Sequence, residues 1–234
     1  MLVLVPTELV AVTGSNGKTV VKEWVYRLLP KSLKPYRSPK SYNSQIGVPL
    51  SLWAMPEDTR IGIFEAGISM PGEMANLQSI LQPRGGIFTN IGSAHGENFA
   101  DDVQKIREKL TLFKEAEYLI YDADQEALHK EILRFADEHA IRLLSWSRQP
   151  DRAKAWLEII SQETDRTRFI FHEPQGDVQA EIPFSDAASV QNAVNALYQA
   201  LILGAPKEFL IKALAQLNPI EMRLEMKEGH QNTL

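Results

Sequence analysis

The 234-residue chain contains no cysteine, which excludes disulfides, thiol nucleophiles and thiolate metal sites, so any metal must be held by oxygen or imidazole. That usage is the one expected of a reducing cytoplasm. Long apolar runs are missing as well. No stretch reaches the roughly 18–20 residues that a membrane span requires. The apolar start Leu2 to Val5 is cut at once by Pro6 and Glu8 and lacks the basic flank of a signal peptide. A soluble, cytoplasmic protein without a membrane span is the expectation. Positive charge is not in excess either: 25 Lys and Arg face 30 Asp and Glu, a net charge of −5. No overall basic field exists to hold nucleic acid, although a local phosphate site remains allowed. Repeats and low-complexity tracts are absent, and a composition 44% apolar and 24% charged belongs to a globular chain able to bury a core.

What is present is an alternation of periods. Val10 to Val12 form a β-branched apolar run, broken by Thr13-Gly14-Ser15-Asn16-Gly17-Lys18-Thr19 and followed by Val20, Val21, Trp24, Val25 and Leu28 at helical spacing. Similar apolar runs recur at Ile61 to Glu65, Gly86 to Thr89, Tyr118 to Tyr121 and Ile141 to Leu144. Segments of helical periodicity such as Met74 to Leu81 and Gln125 to Glu138 separate them. Strands alternating with helices predict an α/β fold with a mostly parallel sheet flanked by helices. From Trp156 the pattern changes to Leu157-Glu158-Ile159, Arg168 to Phe171 and Val178 to Ile182 with turn-rich connections, which predicts a small antiparallel β section. Helical spacing returns from Ala188 to Leu203 and again up to Leu217. Trp24, Trp53, Trp146 and Trp156 form no stacking array and are read as core or semi-buried surface.

The strongest local signal is Gly14-Ser15-Asn16-Gly17-Lys18-Thr19 between a strand and a helix. Glycines let backbone N–H groups turn inward around phosphate oxygens and the helix offers its positive N-terminus. Lys18 supplies a mobile cation and Thr19 a hydroxyl for Mg2+. The spacing differs from the usual phosphate loop, since only two residues separate the glycines. The chemistry is that of a nucleoside triphosphate site, against the plainer reading of a Gly-rich βα turn.

Thr13 to Thr19 also resembles the phosphate loop of the Mur ligases, ATP-dependent amide-forming enzymes of peptidoglycan synthesis. Further segments resemble that family in its own order: Tyr42-Asn43-Ser44-Gln45-Ile46-Gly47-Val48-Pro49-Leu50, Glu65-Ala66-Gly67 with Pro71-Gly72-Glu73, Thr89 to His95, and Gln191-Asn192-Ala193-Val194-Asn195-Ala196. The Glu-x-Gly and Pro-Gly-Glu pair, together with Val21-Lys22-Glu23-Trp24, is most similar to the branch that adds D-alanyl-D-alanine to UDP-N-acetylmuramoyl-tripeptide. Folylpolyglutamate synthases share the ATP module, but Gly-Lys-Gly is expected there in place of Gly17-Lys18-Thr19. A different amino-acid ligase of the family, or a binding module with a vestigial nucleotide site, are the competing readings.

The resemblance implies three domains, of which residues 1–220 would be the central ATP-binding one. Residues 221–234 would then lead into a C-terminal domain, and the N-terminal UDP-sugar domain would have no room before Thr13. It implies ATP and Mg2+ as cofactors, with UDP-N-acetylmuramoyl-tripeptide and D-alanyl-D-alanine as partners of the full-length enzyme. Lys18 would neutralise phosphates, Thr19 and Glu65 would hold one Mg2+, and His95 with Glu65 would help hold a second. Lys109 lies in the region where many Mur ligases carry a carbamylated lysine that supports that second metal. The competing reading of Lys109 is a solvated helix face shared with Lys105 and Arg107. Asn43 would reach the γ-phosphate side or simply cap the segment leading to Trp53. Asn192 matches an adenine-side asparagine, with Gln191 in place of the His often found before it, and Arg223 resembles an interdomain arginine near the nucleotide. On its own this chain is expected to bind nucleotide but not to ligate.

Overall fold

The structure is a computed structural model that describes residues 7–92 and 98–220. The elements follow in the order β1 (Glu8–Thr13), α1 (Lys18–Arg27), β2 (Pro35–Arg37), α2 (Gly47–Trp53), β3 (Ile61–Glu65), α3 (Glu73–Leu81) and β4 (Gly85–Phe88). The second half adds α4 (Asp102–Leu110), β5 (Tyr118–Asp122), α5 (Glu126–His139), β6 (Arg142–Ser147), β7 (Ala155–Gln162), β8 (Thr167–His172), β9 (Val178–Ile182), α6 (Ala187–Ile202) and α7 (Lys207–Leu214). Among the described residues the strands form one nine-stranded sheet in the order β2-β3-β1-β4-β5-β6-β7-β8-β9.

Strands β1 to β6 and the first residues of β7 run parallel to one another, and both faces are covered, which is why β1, β3, β4 and β5 read as nearly unbroken apolar runs. Alternate side chains divide between two cores. Val10, Val12, Ile63, Ile87 and Ile120 pack with Val21, Trp24 and Val25 of α1 and with Val194 and Leu197 of α6. On the other face Ala11, Phe64, Phe88, Leu119 and Tyr121 pack with Met74 and Leu77 of α3, Ile106 and Leu110 of α4, and Leu128 and Ile132 of α5. At roughly 1.5–3 kcal/mol for each large side chain taken out of water, these two layers supply the main favourable term of folding.

The antiparallel section anticipated from Trp156 onward is present, and it continues the main sheet. β7 starts beside the end of β6, with Trp146 opposite Ala155 and Ser147 opposite Trp156, and the strand direction reverses only at β8 and β9. Leu157, Phe169, Phe171, Val178 and Ile182 extend the core shared with α1 and α6, while intervening residues such as Glu158 and Arg168 face water. β2 was not foreseen, since three residues at a sheet edge carry too short a pattern. Trp24 and Trp146 are buried and Trp156 is half-buried, but Trp53 departs from the expected core or semi-buried place, being 87% exposed at the end of α2.

The topology fixes where a site forms. The chain leaves β1 toward β2 at one edge and leaves β4 toward β5 in the opposite direction, so the connections diverge above the carboxyl ends of β1 and β4. Open α/β sheets bind ligands at such a point. Close contact of β1 and β4 is needed there, and Gly86 permits it: a methyl group at that position would lie 1.9 Å from the Ala11 carbonyl oxygen. Gly86→Ala is therefore expected to lower stability by about 3 kcal/mol, the upper end for overpacking a core, read as a fall in the urea midpoint. An unchanged midpoint would show that the two strands part without cost.

Candidate functional site

The loop after β1 turns on two glycines in the left-handed region, Gly14 at φ 134 and Gly17 at φ 78. Gly17 is the N-cap of α1 and no side chain caps the helix, so its first N–H groups point into the loop with the helix dipole behind them. The turn after β4 holds the loop in shape. Ser15 N donates to Asn90 O at 2.8 Å, Gly92 N donates to Ser15 Oγ at 3.0 Å, Asn16 N donates to Asn90 Oδ1 at 3.0 Å, and Thr89 Oγ1 donates to Asn16 O at 2.6 Å. A side chain at Gly14 has no room, since its first carbon would sit 2.1 Å from Thr89 Oγ1.

At the first turn of α1, Lys18 Nζ donates to the carbonyls of Gly14 at 3.1 Å and Ser15 at 2.9 Å. Burial pushes its pKa down; the Glu65 carboxylate opposes that shift and the Lys105 ammonium adds to it. Glu65 ends β3 and is 2% exposed. One of its oxygens accepts from Thr19 Oγ1 at 2.7 Å and the other from Asn43 Nδ2 at 2.6 Å. Thr19 and Glu65 thus offer hard oxygen ligands side by side at the mouth of the loop. Among the described residues no cluster of three or more His, Asp or Glu is placed to hold a metal. A cation here would need oxygens from a ligand such as phosphate, the pattern typical of Mg2+.

A cleft of about 370 Å3 opens beside this pair, with Lys18, Asn43, Gln45, Ser69, Glu73 and Lys109 on its walls. Lys109 comes from α4 and is 3% exposed. Burial lowers its pKa to about 7, helped by the Lys18 and Lys105 ammonium groups and opposed by Glu108. The solvated-face reading of α4 holds only for Arg107, which is exposed and paired with Glu131 at 2.7 Å. Lys105 and Lys109, one helical turn apart, share the inner face with Ile106 and Leu110. Lys105 was not counted among the site residues. Its Nζ donates to Gly92 O at 2.5 Å, on the turn that grips Ser15, and its spacing to Lys109 on a helix with buried Ile106 and Leu110 was the available signal.

Gly14 through Thr19, Asn43, Glu65 and Lys109 are therefore brought together. Asn192 reaches the loop from α6: it is 8% exposed, and a methyl at Gly17 would lie 2.3 Å from its Oδ1. Gln191, its neighbour, donates to Asp122 Oδ2 at 2.7 Å at the end of β5. His95 and Arg223 lie outside the described residues.

Comparison with known proteins places this arrangement. The model of the Mur ligase middle domain matches residues 12–200. The chain belongs to the Mur ligase family. Similar to this middle domain is the UDP-N-acetylmuramoyl-tripeptide--D-alanyl-D-alanine ligase of Bacillus subtilis, 29% identical over 223 residues, 94% of this chain and 47% of the relative. The Escherichia coli enzyme of the same name is 27% identical over 225 residues, 94% of this chain and 49% of its own length. The chain thus spans about half the length of the curated relatives it matches. A crystal structure of MurF from Acinetobacter baumannii superposes with TM-score 0.83 at 26% identity, covering 93% of this chain and 48% of that one. MurF of Thermotoga maritima in complex with ADP superposes with TM-score 0.78 at 25% identity, covering 92% and 49%. No helix among the described residues is long and apolar enough to cross a membrane.

The Lys109 environment makes stability depend on pH in a definite direction. An unfolded lysine keeps its proton up to about 10.5 and the folded one releases it near 7, so between these values the unfolded state binds the extra proton and stability rises with pH. Below pH 7 both states are protonated, and the cost of the buried charge is constant. In CO2-free buffer the stability of the parent relative to Lys109→Met is expected to rise by roughly 2 kcal/mol from pH 7 to pH 9. Parallel curves from urea titrations would refute this.

Proposed function

We propose that the chain is the ATP- and Mg2+-binding middle domain of a ligase that adds D-alanyl-D-alanine to UDP-N-acetylmuramoyl-tripeptide through an acyl phosphate. The observation that carries the reading is that one cleft is lined by Lys18 of the phosphate loop, by Asn43, which bonds Glu65 of the Thr19 and Glu65 oxygen pair, and by the buried amine of Lys109. The relatives' names supply the reaction class and the acceptor.

In that role the Gly14 to Thr19 backbone cradles the β- and γ-phosphates at the N-terminus of α1, and Lys18 cancels charge that builds on the transferred group. Its amine is already aimed into the loop by two carbonyls. The hard oxygen donors of Thr19 and Glu65 fit Mg2+, which when bound supplies charge neutralisation across the phosphates. Asn43 keeps Glu65 turned toward Thr19. Asn192, packed on Gly17, is suited to the purine edge through an amide that both donates and accepts. His95 is assigned to a second metal and Arg223 to the nucleotide on resemblance alone.

Lys109 is the proposed site of carbamylation. A neutral amine adds CO2 to give a carbamate and one proton, turning a buried cation into an anionic oxygen ligand, and a pKa of about 7 leaves much of the amine neutral at cellular pH. The acceptor and the amine must be held in attack geometry by protein beyond these residues, because the relatives are about twice as long. This chain alone is therefore proposed to bind nucleotide without ligating.

Calorimetric titration with ADP and with a non-hydrolysable ATP analogue tests the reading. Mg2+-dependent binding is expected, with about a 100-fold loss in Lys18→Ala, the loss of roughly 3 kcal/mol that follows from removing a charged hydrogen-bonding partner of the phosphates. A folded parent that binds neither nucleotide would overturn it. Labelled bicarbonate should give a 13C carbamate resonance in the parent and none in Lys109→Met; its absence from both would remove the carbamate while leaving the nucleotide site intact.

A further inference from the structure

The segment Val21-Lys22-Glu23-Trp24 has no role in the site as described, although Lys22 lies only one helical turn beyond Lys18. Val21 and Trp24 are core residues. Lys22 is fully buried too, and its partners are not those of a surface lysine. Its Nζ donates to the carbonyl of Ser38 at 2.7 Å and to the carbonyl of Lys40, and lies 3.4 Å from Glu23 Oε1. Glu23 is shared, since Arg37 Nε donates to its other oxygen at 2.6 Å. Taking an ammonium out of water is costly, and a well-packed apolar side chain in its place is often as stable or more so. The bonds that Lys22 makes therefore matter for what they position as well as for stability.

What they hold is the turn between β2 and Asn43. Lys40 has φ 48, a left-handed conformation unfavourable for a residue with a side chain, and its carbonyl is one of the two that Lys22 grips. Ser38 N donates to Ile63 O at 2.9 Å and Ser38 Oγ accepts from Glu65 N at 3.4 Å, so the start of the turn is fastened to β3 next to Glu65 itself. At the far end Gly67 N donates to Asn43 O at 2.9 Å, and a methyl at Gly67 would come within 3.0 Å of the Asn43 amide. Between these anchors the Asn43 side chain meets Glu65.

We infer that Lys22 is a positioning residue for the metal site: by clamping the Ser38 and Lys40 carbonyls it delivers Asn43 onto Glu65 and so presets the Glu65 and Thr19 oxygens for Mg2+. It acts through the turn and touches neither nucleotide nor metal. The inference rests on the proposed function, and the test separates the two.

ADP affinity of the full 234-residue chain is measured by calorimetry with Mg2+ and with EDTA, for the parent, Lys22→Met, Lys22→Arg, Asn43→Ala and the double variant Lys22→Met with Asn43→Ala. In Lys22→Met the affinity gained from Mg2+ is expected to fall about 10-fold, the lower end for losing a residue that orients a metal ligand, while affinity in EDTA stays within about 2-fold of the parent. Lys22→Arg, which keeps the charge and its donors, restores most of the gain. Adding Lys22→Met to Asn43→Ala costs nothing further, because both act on Glu65 by one route. Equal losses in both buffers, additive losses in the double variant, or an unchanged Mg2+ gain would each overturn the assignment. Should Lys22→Met fail to fold by circular dichroism, Lys22→Gln, uncharged and shorter in reach but still polar, must show the same selective loss, and a full Mg2+ gain there overturns it. A parent that binds no nucleotide removes the proposed function and this inference together, whereas a parent that binds normally beside unaffected Lys22 variants removes only the latter.

Discussion

A carboxylate at the inner end of a strand, cut off from water, constrains everything around it. Glu65 is 2% exposed and carries a charge that cannot stay without partners, because an unpaired buried ion costs several kcal/mol. Both oxygens are satisfied, one by a hydroxyl from α1 and one by an amide from the turn after β2. Those two donors come from α1 and from the turn after β2, which Lys22 ties together a second time through the Ser38 and Lys40 carbonyls. Satisfying one carboxylate therefore sets the angle of α1 against β3 and fixes where the turn carrying Asn43 must lie. The phosphate loop, which runs straight into α1 at its N-cap Gly17, inherits that placement.

The second constraint is electrostatic and runs against the overall charge. The chain as a whole is acidic, with a net charge of −5, yet the cleft gathers Lys18 and Lys109 with Lys105 behind them, and the mutual effect of these cations helps lower the pKa of Lys109. Against them stands Glu65 at the loop, while Glu108 turns away to accept from Gly72 N at 2.8 Å and Met74 N at 3.2 Å at the start of α3. A site built this way is incomplete without anions. Under the proposed function phosphate oxygens would fill that need at the loop, and a carbamate on Lys109 would reverse the sign of charge beside them. Field strength at the site is thus set locally, and the acidic remainder keeps nonspecific polyanions away.

How much of this was legible in the sequence depended on whether the signal was local. β1, the glycine loop and α1 were readable because a short apolar run, two glycines and a period of 3.6 follow one another within twenty residues. The central strands were readable because burial on both faces leaves them almost wholly apolar. The three-residue β2 was not, for Pro35-Tyr36-Arg37 owes its place to pairing with β3 rather than to its own pattern. The continuity of β7 with β6 was hidden for the same reason, resting on two residue pairs across a short loop. Asn192 was found by its resemblance, but nothing near it in the chain announces contact with Gly17, 175 positions earlier. The buried lysines were the least legible of all, since a lysine on a charged helix is normally solvated and only packing of α4 against its neighbours shows which side of the helix is dry.

Those lysines share a bonding habit that joins fold to chemistry. Lys18 donates to the carbonyls of Gly14 and Ser15, Lys22 to those of Ser38 and Lys40, and Lys105 to that of Gly92. A main-chain carbonyl satisfies an ammonium's hydrogen bonds but brings no negative charge, so each lysine pins a loop while leaving its field uncancelled. An ion pair in the same place would fix the loop equally well and extinguish the charge. Of these three lysines, Lys22 also has a carboxylate within salt-bridge distance, Glu23 at 3.4 Å. Lys18 feels the Glu65 carboxylate without bonding to it, so the bonds that shape the loops and the charge that would attract phosphate come from the same side chains.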